Sequence, residues 1–191
     1  MSADRWLDRW QGHLGEPADV SPVLELGCNE GADTSWLREH GYSVVACDLD
    51  GAALAECARR VPGARLVRLD LRVPLPFGIA TFGAIIAGLS LHYFAWDVTE
   101  RIIADVHRAL RPDGLLLVRV NSTKDVHFGA VGHPAIDPGF YQVGDRTKRF
   151  FDEPTLRRLL ADRWRLRSLE EYETSRFETT KVVWEAVATR E

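Results

Sequence analysis

Glu25, Gly27, Gly31, Asp48 and Asp70 are the residues of this chain whose types and spacing suit binding chemistry, because they stand at or just beyond the ends of short apolar runs. The run Val23-Leu24-Glu25-Leu26 enters Gly27-Cys28-Asn29-Glu30-Gly31, and about twenty residues later Val44-Val45-Ala46-Cys47 ends at Asp48. A strand, a tight glycine-bounded loop, a helix and a second strand closing on a carboxylate is the wiring of a nucleoside-binding crevice in an α/β sheet.

The glycine spacing selects among nucleoside ligands. A dinucleotide fingerprint places glycines at the first, third and sixth positions so that a helix N-terminus can approach a pyrophosphate. Here they fall at the first and fifth, and Glu30 puts negative charge where a pyrophosphate would lie. Glu25, at the strand end, can attract an ammonium group directly or through water. A ligand with a cationic amino-acid end and a ribose but no phosphate meets these constraints, and S-adenosylmethionine has those parts.

At Glu25-Leu26-Gly27-Cys28-Asn29-Glu30-Gly31 the chain resembles the class I S-adenosylmethionine-dependent methyltransferases, whose first motif reads acidic-x-Gly-x-Gly-x-Gly. Asn29 replaces the middle glycine, and Asn is the residue after glycine that best tolerates a left-handed backbone. Further features fall in the family's order. Gly88-Leu89-Ser90-Leu91-His92-Tyr93-Phe94 is similar to the segment after the fourth strand of many small-molecule methyltransferases, and Arg111-Pro112-Asp113-Gly114 is a turn into a fifth strand. The resemblance implies S-adenosylmethionine as cofactor, held by Glu25, Gly27, Cys28, Asn29, Gly31, Asp48, Leu49, Asp70, Leu71, Gly88 and Leu89. Within that set Asp48 would chelate the ribose hydroxyls and Asp70 would accept from the adenine amino group. The short layout also resembles tellurite-resistance methyltransferases, which raises a soft anionic or thiol-like acceptor.

The elements that must position these residues are legible in outline. Strands are expected at Val23–Leu26, Val44–Cys47, Arg65–Leu69, Phe82–Ala87 and Leu115–Val120, with Trp164–Glu170 and Thr180–Ala188 pairing as an antiparallel hairpin. The expected fold class is α/β: a Rossmann-like, seven-stranded, mostly parallel sheet with helices on both faces and that antiparallel C-terminal hairpin. Asp50 is an expected cap for a helix burying Leu54, Cys57, Ala58 and Val61, and Asp152 with Pro154 starts another. Asp97 and Glu100 form a capping-box pattern before Val98, Ile102, Val106, Ala109 and Leu110. Trp6, Leu7 and Trp10 share a helical face that Gly12, Gly15 and Pro17 are expected to break. Residues 1–191 read as a single domain, with 1–20 an N-terminal helical cap.

Residues 121–151 are longer than an ordinary connection and rich in glycine and proline, and are expected to form a substrate lid or else a surface loop. Substrate-binding candidates are Trp6, Trp10, His92, Tyr141, Lys148 and Arg149. His92 and Tyr93 are the catalytic candidates: His92 as a base or as a packing residue after the fourth strand, Tyr93 facing substrate or core. His127, His133, Asp125 and Asp137 lack the spacing of a metal site, and no metal is expected.

Composition bounds the rest. Hydrophobic residues are 46% of 191 with no run of membrane-spanning length, and the polar start Met1-Ser2-Ala3-Asp4-Arg5 is unlike a secretory signal. The three cysteines, Cys28, Cys47 and Cys57, suit a reducing cytoplasm. A formal charge of −4 disfavours a general nucleic-acid partner, and the lack of an Asn-Pro-Pro-aromatic run disfavours DNA base methylation. The sequence is therefore read as a monomeric or homodimeric, non-membrane methyltransferase acting on an O, N or S atom of a small molecule. Two alternatives are an RNA- or protein-directed enzyme using a basic face of Arg59, Arg60, Arg65 and Arg68, and a non-catalytic S-adenosylmethionine-binding module.

Overall fold

The computed structural model describes residues 5–174 and 179–191; Met1 to Asp4, the polar start, lie outside it. Strands β1 (Val23–Leu26), β2 (Val44–Asp48), β3 (Arg65–Arg68), β4 (Phe82–Gly88) and β5 (Leu110–Asn121) lie in one sheet with β9 (Trp164–Thr174) and β10 (Lys181–Arg190). The sheet has seven strands in the order β3-β2-β1-β4-β5-β10-β9. Pairs among β1 to β5 are parallel, and β10 runs antiparallel to both β5 and β9. The order reverses between β1 and β4, the switch point at which open α/β sheets leave a crevice beyond their strand ends. This is the architecture expected from the sequence.

Both faces are covered, which is why β1 and β4 read as continuous apolar runs rather than alternating ones. One face buries Trp6, Leu7 and Trp10 of a short 3-10 helix (Trp6–Trp10), together with α1 (Gln11–Val20), α2 (Ala32–Glu39) and α3 (Gly51–Arg60). The other buries α4 (Trp96–Ala109) and α5 (Glu153–Leu159). Asp50 accepts from Ala52 N and Ala53 N, and Asp152 accepts from Thr155 N, so both expected caps form.

Three local expectations are corrected. α1 runs on through Gly12, Gly15 and Pro17, because Leu14 and Ala18 bury against the sheet and tertiary packing outweighs weak propensity. The Asp97–Glu100 box is not the cap of α4. That helix starts at Trp96 with Ala95 as its uncapped N-cap, and Thr99 Oγ1 donates to Ala95 O at 3.0 Å. On α3 it is Ala53, not Ala58, that turns inward beside Leu54 and Cys57.

The Arg111–Gly114 turn lies inside β5 as a loop-out. Phe82 pairs with Leu110, then Ala84 with Leu115, and Asp113 takes φ 58° between them. Residues 121–151 are folded: a short 3-10 turn (Val126–Phe128) precedes a small antiparallel sheet of β6 (Ala135–Asp137), β7 (Phe140–Val143) and β8 (Arg146–Arg149). No helix among the described residues is long and apolar enough to cross a membrane.

Candidate functional site

Because β1, β2 and β4 are parallel neighbours, Leu26, Asp48 and Gly88 finish at one edge of the sheet. The loop leaving β1 is pinned there by Gly27 N and Cys28 N, which both donate to Cys47 O, and by Gly31 N donating to Cys28 O. Gly27 has φ 77°, and a Cβ built on it would stand 2.6 Å from Ser90 Cβ, so only glycine fits between β1 and the end of β4. Asn29 adopts φ 47°, the left-handed conformation its side-chain type allows. Cys28, expected as a loop residue, is buried along with Cys47 and Cys57.

Glu25 is 3% exposed, and its Oε2 accepts from Thr34 Oγ1 at 2.5 Å. Burial, with Asp33 and Asp48 nearby, pushes its carboxyl up to about 8 against the smaller opposing pull of the Thr34 hydrogen bond. Asp48 is half-buried, with Oδ2 accepting from Asn29 N at 2.8 Å and Oδ1 from Asp50 N at 2.9 Å. Both contacts leave acceptor capacity on each oxygen, since a carboxylate has about four lone-pair sites. Leu49 beside it is 47% exposed, whereas Leu71 is buried. Asp70 is gripped by Arg72, whose Nε and Nη2 donate to the carboxylate while its backbone N–H donates to Oδ1. Those bonds hold the Asp70 pKa below the usual carboxylate range.

At the end of β4, Gly88 has no room for a side chain: a Cβ there would meet Asp33 Oδ2 at 2.9 Å and Trp6 Cζ2 at 3.3 Å. Trp6 donates its indole N–H to Asp33 Oδ2 at 2.8 Å, so the N-terminal segment closes over the strand end. Leu89 takes a left-handed φ of 56° and donates its N–H to Arg119 O at 2.8 Å. A bulky residue in that region costs about 1–3 kcal/mol and marks a backbone held by its surroundings. His92 is 4% exposed; burial, then the charges of Lys181 and Lys148, lower its pKa to about 3. The ring of Tyr93, 37% exposed, lies 4.1 Å from that of His92.

The remaining substrate candidates separate. Trp10 is buried and donates to Glu185 Oε2 at 2.7 Å, an interior role rather than a wall. Arg149 is also buried, reaching Phe94 O, Pro138 O and the ring of Phe140, and so ties β8 to the chain after β4. Thr147 Oγ1 adds a bond to Tyr93 O at 3.0 Å. Lys148, between them, donates to Phe128 O at 3.2 Å, and Tyr141 sits half-buried 6.0 Å from Phe150. Sequence reasoning missed Asp33, Asn121, Lys181 and Glu185. Only Asn121, the polar residue that ends the apolar run of β5, carried a signal. Among the described residues no group of His, Cys, Asp and Glu has metal-binding geometry.

Residues 23–114, the cofactor half of the sheet, match the family described as a methyltransferase domain. An uncharacterized methyltransferase of Synechocystis is 36% identical over 99 residues, covering 50% of this chain and 46% of that protein. A ribosomal RNA small subunit methyltransferase C of Alcanivorax borkumensis is 28% identical, covering 60% of this chain and 36% of its own length. The chain therefore spans less than half the length of these curated relatives. A methyltransferase structure from Methanosarcina mazei superposes with a TM-score of 0.75 at 22% identity, covering 88% of this chain and 92% of the other. The Burkholderia thailandensis 1,6-didemethyltoxoflavin-N1-methyltransferase, solved with bound 1,6-didemethyltoxoflavin and S-adenosylhomocysteine, gives a TM-score of 0.66 at 24% identity over 98% of this chain and 81% of its own. With this strand order and this glycine loop, the chain has the fold of the class I S-adenosylmethionine-dependent methyltransferases, and its residues 23–114 match a methyltransferase domain.

Proposed function

We propose that the protein binds S-adenosylmethionine across the ends of β1 to β4 and transfers its methyl group to an O, N or S atom of a small molecule. The observation that carries this reading is Glu25, a buried carboxyl beside the glycine loop that burial and the neighbouring Asp33 and Asp48 push up to about 8. An ammonium group at that place restores the charge, as an opposite charge favours the ionised form. The Gly27 cradle, which a Cβ would fill, lets the ligand's amino-acid end lie against the loop.

Asp48 takes the ribose hydroxyls on its spare lone pairs, Leu49 and Leu71 flank the base, and Asp70, kept ionised by Arg72, accepts from the adenine amino group. When bound, the sulfonium supplies an electrophilic methyl carbon for in-line displacement. The chain's part is then to align the acceptor and exclude water, with residues 121–151 as the cover and the buried Trp6 fixing the end of β4 through Asp33.

A small acceptor is favoured over RNA by the state of the basic face. Arg59 pairs with Glu56 and Arg60 with Glu30, which leaves Arg65 and Arg68 as the face's cations on a chain of formal charge −4, a weak footprint for a phosphate backbone. Calorimetric titration with S-adenosylmethionine and S-adenosylhomocysteine tests the cofactor: saturable binding that is lost in Asp48→Ala is expected, and no binding to the wild type defeats the reading. Retention of labelled RNA at physiological salt would move the acceptor to the RNA class.

A further inference from the structure

Three buried side chains at the ends of the adjacent strands β4 and β5 leave a polar atom with no hydrogen-bond partner: Ser90 Oγ, His92 Nδ1 and Asn121 Oδ1. Their residues are 6%, 4% and 1% exposed. An unsatisfied buried polar atom costs about 1–3 kcal/mol. Three together, beside the strand end where Gly27 meets Ser90, mark a place built for a ligand.

The charge around that place has one sign in excess. Strand alternation puts Arg119 and Asn121 of β5 on the same face as Lys181 and Glu185 of β10. Lys181 Nζ lies 2.7 Å from Asp125 Oδ2, and Glu185 balances Arg119 at 3.2 Å while also holding Arg9. Lys124 and Arg149 are matched by Glu171 and Asp137. Lys148 has its carbonyl contact to Phe128 and no carboxylate within ion-pair distance among the described residues, so it supplies the surplus positive charge. That charge lies near the same place: the residues on either side of Lys148, Thr147 and Arg149, donate to the carbonyls of Tyr93 and Phe94 just after His92, and Lys148 and Lys181 are the two charges acting on that imidazole. On the cofactor side the ionisable groups are acidic instead: Glu25, Asp33 and Asp48 cluster there.

Resting on the methyltransferase reading, we infer that the acceptor is a small organic anion, already deprotonated on arrival, whose charged oxygen or sulfur is received by Lys148 beside Ser90 and His92. Ser90 and the neutral imidazole donate to the anion, and Asn121 Oδ1 accepts from a hydroxyl or N–H elsewhere on the same molecule. A lone pair of the anion forms the new bond to the methyl carbon as the carbon–sulfur pair passes to sulfur. An anion and a sulfonium become two neutral centres and no proton moves. Mutual neutralisation of opposite charges is favoured in a water-excluded site, and it asks for no general base. The division of the crevice into an acidic cofactor half and a cationic acceptor half follows from this chemistry.

The test is calorimetric binding to protein saturated with S-adenosylhomocysteine, using three matched pairs above the pKa of each acid: 4-nitrophenolate with 4-nitroaniline, benzoate with benzamide, and thiophenolate with thioanisole. At least one anion is expected to bind about tenfold or more tightly than its neutral partner, the scale of a charge-assisted hydrogen bond. Lys148→Met should remove that preference and Lys148→Arg should keep it, with thermal unfolding checked for both variants. Equal binding of acid and neutral partner, no binding of any anion, or an unchanged preference in Lys148→Met overturns the inference. Failure of S-adenosylhomocysteine itself to bind defeats the cofactor reading instead, which separates the two.

Discussion

Thr34 donates its hydroxyl to Glu25 across 2.5 Å, joining the first turn of α2 to strand β1 on the two sides of the glycine loop. That bond favours the ionised carboxyl, yet burial and the neighbouring Asp33 and Asp48 outweigh it, and the group is raised to about 8. On the proposed reading, the proton held there is the one a cationic ligand displaces.

Affinity for S-adenosylmethionine should rise as pH increases toward about 8 and fall above it, where the ligand's own ammonium loses its charge, with a proton released on binding near neutrality. Calorimetry in two buffers of different ionisation enthalpy reads that proton directly, and Glu25→Gln should abolish it. Stability moves the other way. The folded carboxyl is protonated between about 4.5 and 8, where the unfolded one is ionised, so stability falls as pH rises through that window. Glu25→Gln should remove this slope from urea midpoints.

Asp48→Ala should weaken the cofactor on the order of a hundredfold, as expected for losing two hydrogen bonds to a charged acceptor. It also frees Asn29 N and Asp50 N, so loosening of the glycine loop should appear as faster amide exchange at those two positions. Unchanged affinity would remove Asp48 from the ribose.

His92 gives the acid limb. Its folded pKa is lowered to about 3 while the unfolded imidazole protonates near 6.5, so the stability it confers is full above 6.5 and is lost as pH falls toward 3. His92→Leu should flatten that limb in urea midpoints between about pH 6.5 and 4. An unaltered limb would mean that the imidazole is solvated.

Glu185 is fully buried and is shared by Arg119, Arg9 and Trp10. Glu185→Leu alone removes the carboxylate facing the buried Arg119 guanidinium and should cost about 3–5 kcal/mol by denaturant unfolding. The double variant with Arg119→Met should recover much of that loss, and a fully additive pair would show that the two side chains do not depend on each other.

Much of the fold is written locally. Asp50 and Asp152 cap their helices because a side-chain oxygen two or three residues away is the nearest partner for an orphan N–H, and sequence spacing alone carries that information. Asn29 turns left-handed where its type permits, and Val23–Leu26 and Phe82–Gly88 read as buried strands because nearly every position is apolar. Where local signals were weak they misled: glycines in α1 and the Asp97–Glu100 pattern yielded to burial of Leu14 and to a helix starting at Trp96.

The chain's own order of residues thus determined the strand sequence, the glycine loop and the carboxylates at the strand ends, since these depend on short-range hydrogen bonding and on apolar periodicity. Only the tertiary structure decided that Arg149 is a buried tie, that Glu185 holds Arg9 and Arg119 across more than sixty residues, and that Lys181 and Lys148 act on His92. The reason is that a charge's partner and its access to water are set by which distant segments bury it, and neither leaves a mark in local spacing.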